Sequence, residues 1–232
     1  MNFVMASASI SDPKRILVVD IGGSNIKILA TGEEKRLKFP SDPDLTADRL
    51  VQQVLEATSH WNYNAISVGC PCAVSNNTPT TDPKNLGTGW IGFDFEAAFG
   101  LPTKVMNDAT MQAIGCYHGG TMLFLGFGTG LGTTLIKDSV AIPLEGGHLP
   151  YRKERSFEEY VGKAGLAHIG LKKWNKHSLK VIEILRRACN AEDVVLGGGN
   201  AELIEELPKN TRRVDNHAAF KGGFRLWDSS QW

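Results

Sequence analysis

Two glycine-turned hairpins about a hundred residues apart constrain this chain more than any other feature, because a repeated supersecondary unit points to a duplicated architecture. Residues 15–20 read as a buried strand closed by Asp20, the turn Ile21-Gly22-Gly23-Ser24 follows, and apolar character resumes over residues 26–30. The same pattern returns later. Residues 122–127 form an apolar strand, Gly128-Thr129-Gly130-Leu131-Gly132 a turn, and residues 133–136 a second strand. The glycine total is 25, against roughly 16 at average usage, and this excess marks sharp bends or close approaches of backbone. The expectation is an α/β protein of two similar lobes sharing a cleft. The first lobe spans residues 13–106 and carries the first glycine turn. The second spans residues 107–232 and carries the second turn.

Between these landmarks the spacing of Leu50, Val51, Val54 and Leu55 predicts an amphipathic helix over residues 45–59. A strand over residues 65–70 stops at Pro71, and residues 75–92, rich in Asn, Thr, Pro and Gly, read as a long functional loop. A short strand at 104–106 leads into a helix starting near Asp108. Helices are expected over 156–169 and 172–190, then a strand at 193–196, the triplet Gly197-Gly198-Gly199, and a helix from Asn200. Trp90, Trp174 and Trp227 read as packing residues.

Composition excludes several classes. Basic and acidic residues balance at 25 each, so the whole chain has no electrostatic reason to bind nucleic acid or acidic membrane. No apolar run approaches the eighteen or so residues that cross a bilayer, and no basic start precedes a long apolar stretch, which gives the expectation of a cytoplasmic protein. Of Cys70, Cys72, Cys116 and Cys189, the pair Cys70-Pro71-Cys72 reads as two small buried residues at a strand end, since its spacing is neither a redox nor a zinc motif. Charge is nevertheless uneven. Residues 152–187 carry ten basic and four acidic groups, with Lys172, Lys176 and Lys180 at every fourth position. This stripe is either a solvated helix face or a track for a polyanion.

A turn exposing successive backbone N–H groups is an anion site, because no side chain holds a phosphate oxygen away. The P-loop pattern fails here, since Gly162-Lys163 is followed by Ala164. The dinucleotide pattern fails too: Leu131 takes the place of its third glycine, and the turn leads into a strand. What remains is two hairpin turns clamping a phosphate chain. Asp20 adds a carboxylate able to hold hydrated Mg²⁺. Asn107-Asp108 opens a helix, where either residue is a preferred cap, and Glu145-Gly146-Gly147-His148 follows.

Together these residues resemble the ROK family of sugar kinases. Residues 20–27 look like its first phosphate motif and residues 127–132 like its second. Asn85 with Trp90-Ile91-Gly92, Asn107-Asp108, Glu145-x-x-His148 and residues 196–199 follow the family's order. Trp90-Ile91-Gly92-Phe93-Asp94, Glu158-Glu159-Tyr160 and Lys172-Lys173-Trp174 are similar to the polyphosphate glucokinase branch. The resemblance implies an actin-like (ribonuclease H-like) ATPase fold and phosphoryl transfer from polyphosphate or ATP to the 6-hydroxyl of glucose or a similar hexose. It implies Asp108 as the general base and Asn85, Asn107, Asp108, Glu145, His148 and Glu158 as sugar contacts. Gly22, Gly23, Ser24, Lys27, Gly128, Thr129, Gly130 and Gly132 would line the phosphates, Gly197, Gly198 and Gly199 an adenosine site, and Asp20 would anchor Mg²⁺ through water. Zinc is not expected, because residues 149–158 lack the cysteines of zinc-bearing relatives. A homodimer is implied.

Three departures from the family pattern stand out. Cys72 replaces a family glycine beside the sugar, the approach to Glu145 is shortened, and the segment after Gly199 is abbreviated. Family repressors add a DNA-binding helix pair, for which the roughly 14 residues before the first strand leave no room. A catalytically silent sugar-binding or regulatory protein is the alternative, and Asp108 would have no use in one.

Overall fold

In the computed structural model, residues 14–214 and 217–228 are described. The first lobe opens with β1 (Ile16–Ile21), β2 (Asn25–Ala30) and β3 (Leu37–Pro40), an antiparallel meander. Helix α1 (Ala47–Ala57) follows, its Thr46 hydroxyl accepting from the Arg49 N–H. Next come β4 (Ala65–Cys70), the two-residue strands β5 (Val74–Ser75) and β6 (Thr78–Pro79), the short helix α2 (Phe95–Phe99), and β7 (Thr103–Asn107). Strands β4 and β7 join β1 in parallel, giving the order β3-β2-β1-β4-β7.

The second lobe repeats this plan. Helix α3 (Asp108–Cys116) leads to the meander β8 (Thr121–Phe127), β9 (Leu131–Lys137) and β10 (Val140–Leu144). A small ribbon, β11 (Pro150–Arg152) with β12 (Arg155–Ser156), precedes helices α4 (Phe157–Val161), α5 (Lys163–Ile169) and α6 (Leu171–Ala188). Strands β13 (Asp193–Gly197) and β14 (Thr211–Arg213) then add in parallel to β8, and α7 (Ala218–Arg225) ends the described chain. The sheet order β10-β9-β8-β13-β14 matches the first strand for strand. The duplication expected from the hairpins is therefore present in the topology.

Strand β1 shows why both faces of its sheet are covered. All six of its residues are buried, as expected for a central strand that pairs in parallel on one side. Leu17, Val19 and Ile21 point into a core that includes Ile26, Ile28, Leu50, Val54 and Trp90. Ile16 and Val18, on the opposite face, pack with Met111, Ala219 and Phe220. Helix α7 thus returns from the end of the chain to cover the first lobe's sheet. The Ser67 hydroxyl donates to the Gly223 carbonyl at 2.7 Å and accepts from the Trp227 indole at 2.9 Å. Helices α3 and α7 cross with almost no space between them. A Cβ at Gly115 would strike the Ala218 carbonyl, and one at Gly222 the Met111 carbonyl, so glycine is required at both points.

Several sequence expectations need correction. The helix expected over 156–169 is two, broken at Gly162, whose extended backbone sits where a Cβ would lie 2.6 Å from the Thr129 carbonyl. Close packing on the second glycine turn, rather than propensity, ends α4. The helix expected from Asn200 is only a turn of 3₁₀ at Ala201–Leu203. There Asn200 donates its backbone and side-chain N–H groups to the Phe127 and Gly128 carbonyls, at 2.9 and 3.2 Å. The loop over 75–92 contains the β5–β6 ribbon. Leu131 and Gly132 belong to β9, paired with Phe127 and Gly126, so the second turn is tighter than its glycines suggest.

Candidate active site

The registers of three parallel strands bring two carboxylates to one sheet edge. Asp20 on β1 lies opposite Gly69 on β4, and Gly69 lies opposite Met106 on β7, two residues before Asp108. Gly69 has no side chain in a place where a Cβ would sit 3.4 Å from the Asp108 Cα. Asp20 is buried, and Lys27, its register partner on β2, reaches it at 3.2 Å. Burial raises the Asp20 pKa and Lys27 opposes that rise. Asp108 retains some contact with water but is densely surrounded by protein. Burial, and secondly the charge of Asp20, push its pKa up to about 7. A carboxylate poised there can exchange a proton near neutrality.

Asn107 caps α3. Its side-chain oxygen accepts from the Ala109 and Thr110 amides at 3.0 and 3.2 Å, and its side-chain amide donates to the Cys72 carbonyl at 3.2 Å. The asparagine thereby orients the turn that presents Asp108. Cys72 does not crowd the site. It is buried in the first core with its Sγ 3.1 Å from that of Cys70. The contact with Cys72 and burial push the Cys70 thiol well above its ordinary range, as expected of a structural rather than a reactive cysteine.

The two glycine turns face each other. A Cβ at Gly23 would sit 3.4 Å from the Thr129 hydroxyl and 3.6 Å from the Asn85 side-chain nitrogen, so both turns and the Asn85 loop meet at one point. The Gly22 amide donates to the Asn25 carbonyl and the Gly128 amide to the Gly130 carbonyl, at 3.0 and 3.1 Å. These two expected phosphate donors are consumed within their own turns. The amides of Gly23, Ser24, Thr129 and Gly130 have no acceptor among the described residues, so they remain available to an anion. The Ser41 hydroxyl, which the sequence did not single out, braces the first turn by donating to the Gly22 carbonyl at 2.6 Å. Gly132 lies against Ala109, at the start of α3, where a Cβ would approach the alanine methyl to 2.8 Å.

The acidic side of the cleft comes from the second lobe. A Cβ at Gly130 would lie 2.5 Å from Glu158 Oε2, which puts Glu158 beside the second turn. His148 Nε2 is 3.4 Å from Glu158, and its Nδ1 is 3.3 Å from Glu145. Lys84 completes this cluster, 2.9 Å from both His148 Nε2 and Glu158 Oε1. Sequence reasoning missed Lys84, though it is the one Lys or Arg between Arg49 and Lys104 and immediately precedes Asn85. Gly197, Gly198 and Gly199 lie behind the second turn rather than in this cluster. Gly198 has φ +81°, and a Cβ there would collide with the Phe127 carbonyl. Lys172, Lys176 and Lys180 are exposed along α6, whose Trp174 stacks edge-on against Phe127 at 5.9 Å. Among the described residues, no three His, Cys, Asp or Glu side chains gather as a metal site, and no helix is long and apolar enough to cross a membrane.

No family model matches the chain. A polyphosphate glucokinase from Mycobacterium tuberculosis is 25% identical over 205 residues, covering 78% of this chain and 76% of the relative. The inorganic polyphosphate/ATP-glucomannokinase of Arthrobacter sp. strain KM superposes with a TM-score of 0.78 at 19% identity, over 90% of this chain and 96% of that one. A ROK family glucokinase from Streptomyces griseus, solved with glucose and AMPPNP, superposes with a TM-score of 0.74 at 17% identity, over 91% and 98% of the two chains. The chain is thus similar in sequence to a polyphosphate glucokinase and shares its fold with ROK family sugar kinases.

Proposed function

We propose that this protein is a glucokinase-type phosphotransferase, moving a phosphoryl group from polyphosphate, ATP or both to the 6-hydroxyl of glucose or a similar hexose. The observation that carries this reading is the position of Asp108, a carboxylate with a pKa near 7 at the sheet edge beside two facing glycine turns. Its similarity to kinases that use polyphosphate or ATP supports the same reading.

In this mechanism Asp108 accepts the proton as the sugar O–H bond breaks and the new O–P bond forms. The donor's own P–O bond breaks, leaving ADP or a shortened polyphosphate. An alcohol needs such an acceptor within hydrogen-bond reach, because it is a poor nucleophile while protonated. The rest of the work is positioning and charge neutralisation. The amides of Gly23, Ser24, Thr129 and Gly130 hold phosphate oxygens, while Asn85, Glu145, His148 and Glu158 pair with sugar hydroxyls. A pocket of such groups rejects analogues lacking a hydroxyl, since buried polar atoms would go unpaired.

The residues present fit a magnesium ion. Asp20 would anchor the ion through water beside the phosphate turns, since Mg²⁺ usually keeps several waters and is held by one or two carboxylates and by phosphates. When bound, the ion neutralises phosphate oxygens. Lys27 holds the Asp20 carboxylate in place.

Polyphosphate should serve at least as well as ATP. The exposed lysines of α6 support that order. Measuring glucose 6-phosphate formation with each donor tests the proposal. No product with either donor overturns it, and product from ATP alone overturns the donor preference.

A further inference from the structure

We propose that Lys84 is the gate of the hexose pocket, a selectivity residue that holds the sugar-recognising groups of the second lobe until a hexose replaces it. This inference rests on the sugar-kinase reading above. Lys84 is the first lobe's contribution to a cluster otherwise drawn from the second. Its ammonium lies 2.9 Å from both His148 Nε2 and Glu158 Oε1. An ammonium only donates, so Nε2 accepts and the ring proton sits on Nδ1, facing Glu145 at 3.3 Å. Lys84 thus sets the tautomer that a sugar hydroxyl would meet, and it uses the acceptor atoms that the hydroxyl needs.

The loop carrying Lys84 is fastened to its own lobe. The Trp90 amide donates to the Asp82 carboxylate at 2.9 Å, and the Gly87 amide to the Leu45 carbonyl at 3.0 Å. Gly87 packs on the backbone of Asp44, where a Cβ would lie 2.7 Å from the carbonyl oxygen. Breaking the Lys84 contacts therefore removes this one bridge between the lobes and leaves the loop intact. Once the ammonium leaves, Glu145 and Glu158 face the sugar together. This arrangement favours neutral polyols, whose hydroxyls donate, and repels hexoses bearing a carboxylate or phosphate.

The Lys84 side chain is 68% exposed, so its displacement is a modest barrier, on the order of a two- to fivefold change in affinity. The test is glucose binding by calorimetry without a phosphoryl donor, alongside steady-state KM. Lys84→Met is expected to bind glucose about two- to fivefold more tightly and to lower the glucose KM by the same factor. Lys84→Arg should bind as the unaltered protein does. Added salt should tighten glucose binding to the unaltered protein and leave Lys84→Met unmoved. Equal or weaker binding by Lys84→Met overturns the gate, because a merely structural lysine would not hinder the sugar.

A sugar-free arm tests the contact itself. In thermal unfolding, Lys84→Met and Glu158→Gln should be non-additive, the double variant losing no more than either single one; additive losses overturn the latch. If the unaltered protein takes up no hexose while the pair is coupled, the sugar-kinase reading fails and the gate falls with it.

Discussion

Replacing Asp108 by asparagine should inactivate the protein and stabilise it at the same time. Holding a carboxyl with an ordinary value of 3.8 at about 7 means that ionising it within the fold costs up to about 4 kcal/mol. Residual contact with water reduces this to roughly 1–3 kcal/mol. The direction follows from the neutral form being favoured in the folded state. Its stabilising share is fully present below 3.8 and is lost as pH rises through 7. Asparagine mimics the neutral acid at every pH. The variant's advantage should therefore be small at pH 4, grow to pH 7 and level off beyond. At roughly 2–4 °C per kcal/mol for a chain of this size, melting should rise by several degrees at pH 8. Activity should fall by about 10²–10⁴, and in the unaltered protein kcat/KM should drop about fivefold between pH 7 and pH 6. Melting curves at pH 4.5 and 8, with glucose 6-phosphate assays on the same samples, check both halves. A melting difference that does not change with pH, or turnover surviving the substitution, refutes the reasoning.

Three further outcomes follow. Gly222→Ala should destabilise by about 1–3 kcal/mol, read as a lower urea midpoint, because its methyl meets the Met111 carbonyl; an unchanged midpoint would show that α3 and α7 can separate at no cost. Replacing Lys172, Lys176 and Lys180 by Glu should raise the polyphosphate KM by about tenfold or more and flatten its salt dependence. The ATP KM should stay put, and equal effects on both donors would remove the track. Cys72→Gly should leave glucose affinity within about twofold while lowering stability by about 1–2 kcal/mol, since the thiol packs in the core and glycine adds backbone freedom. A large change in affinity would return Cys72 to the sugar pocket.

The sequence made the hairpins legible because the signals are local: an apolar run, a glycine turn and a resumed run fix a β-ribbon wherever it sits. The strand carrying Asp20 and the turn presenting Asp108 were readable for the same reason. What could not be read depends on parts of the chain distant in sequence. Gly162 breaks a helix only because the backbone of Thr129 and Gly130 presses on it. Strand β14 has three residues and exists through pairing with β13, leaving no periodicity to detect. Helix α7 shows a buried stripe of Ala, Phe and Gly whose partners lie some two hundred positions away in sequence. Lys84 carries no motif. Its meaning comes from His148 and Glu158, which approach it only after both lobes have formed. The duplication itself spoke for the fold, whereas the site is assembled from six separate segments whose meeting no spacing records.

The return of α7 to the first sheet also bears on how the chain is made. During synthesis from the N-terminus, the face of β1 and β4 bearing Ile16, Val18 and Ala65 is covered only in part, by Met111 of α3, until residues 218–226 emerge. The early half must therefore wait, greasy side partly bare, for its last helix. Nascent chains stalled near residue 200 should bind chaperones and resist ordinary refolding, and tail truncations should precipitate rather than leave a smaller soluble enzyme.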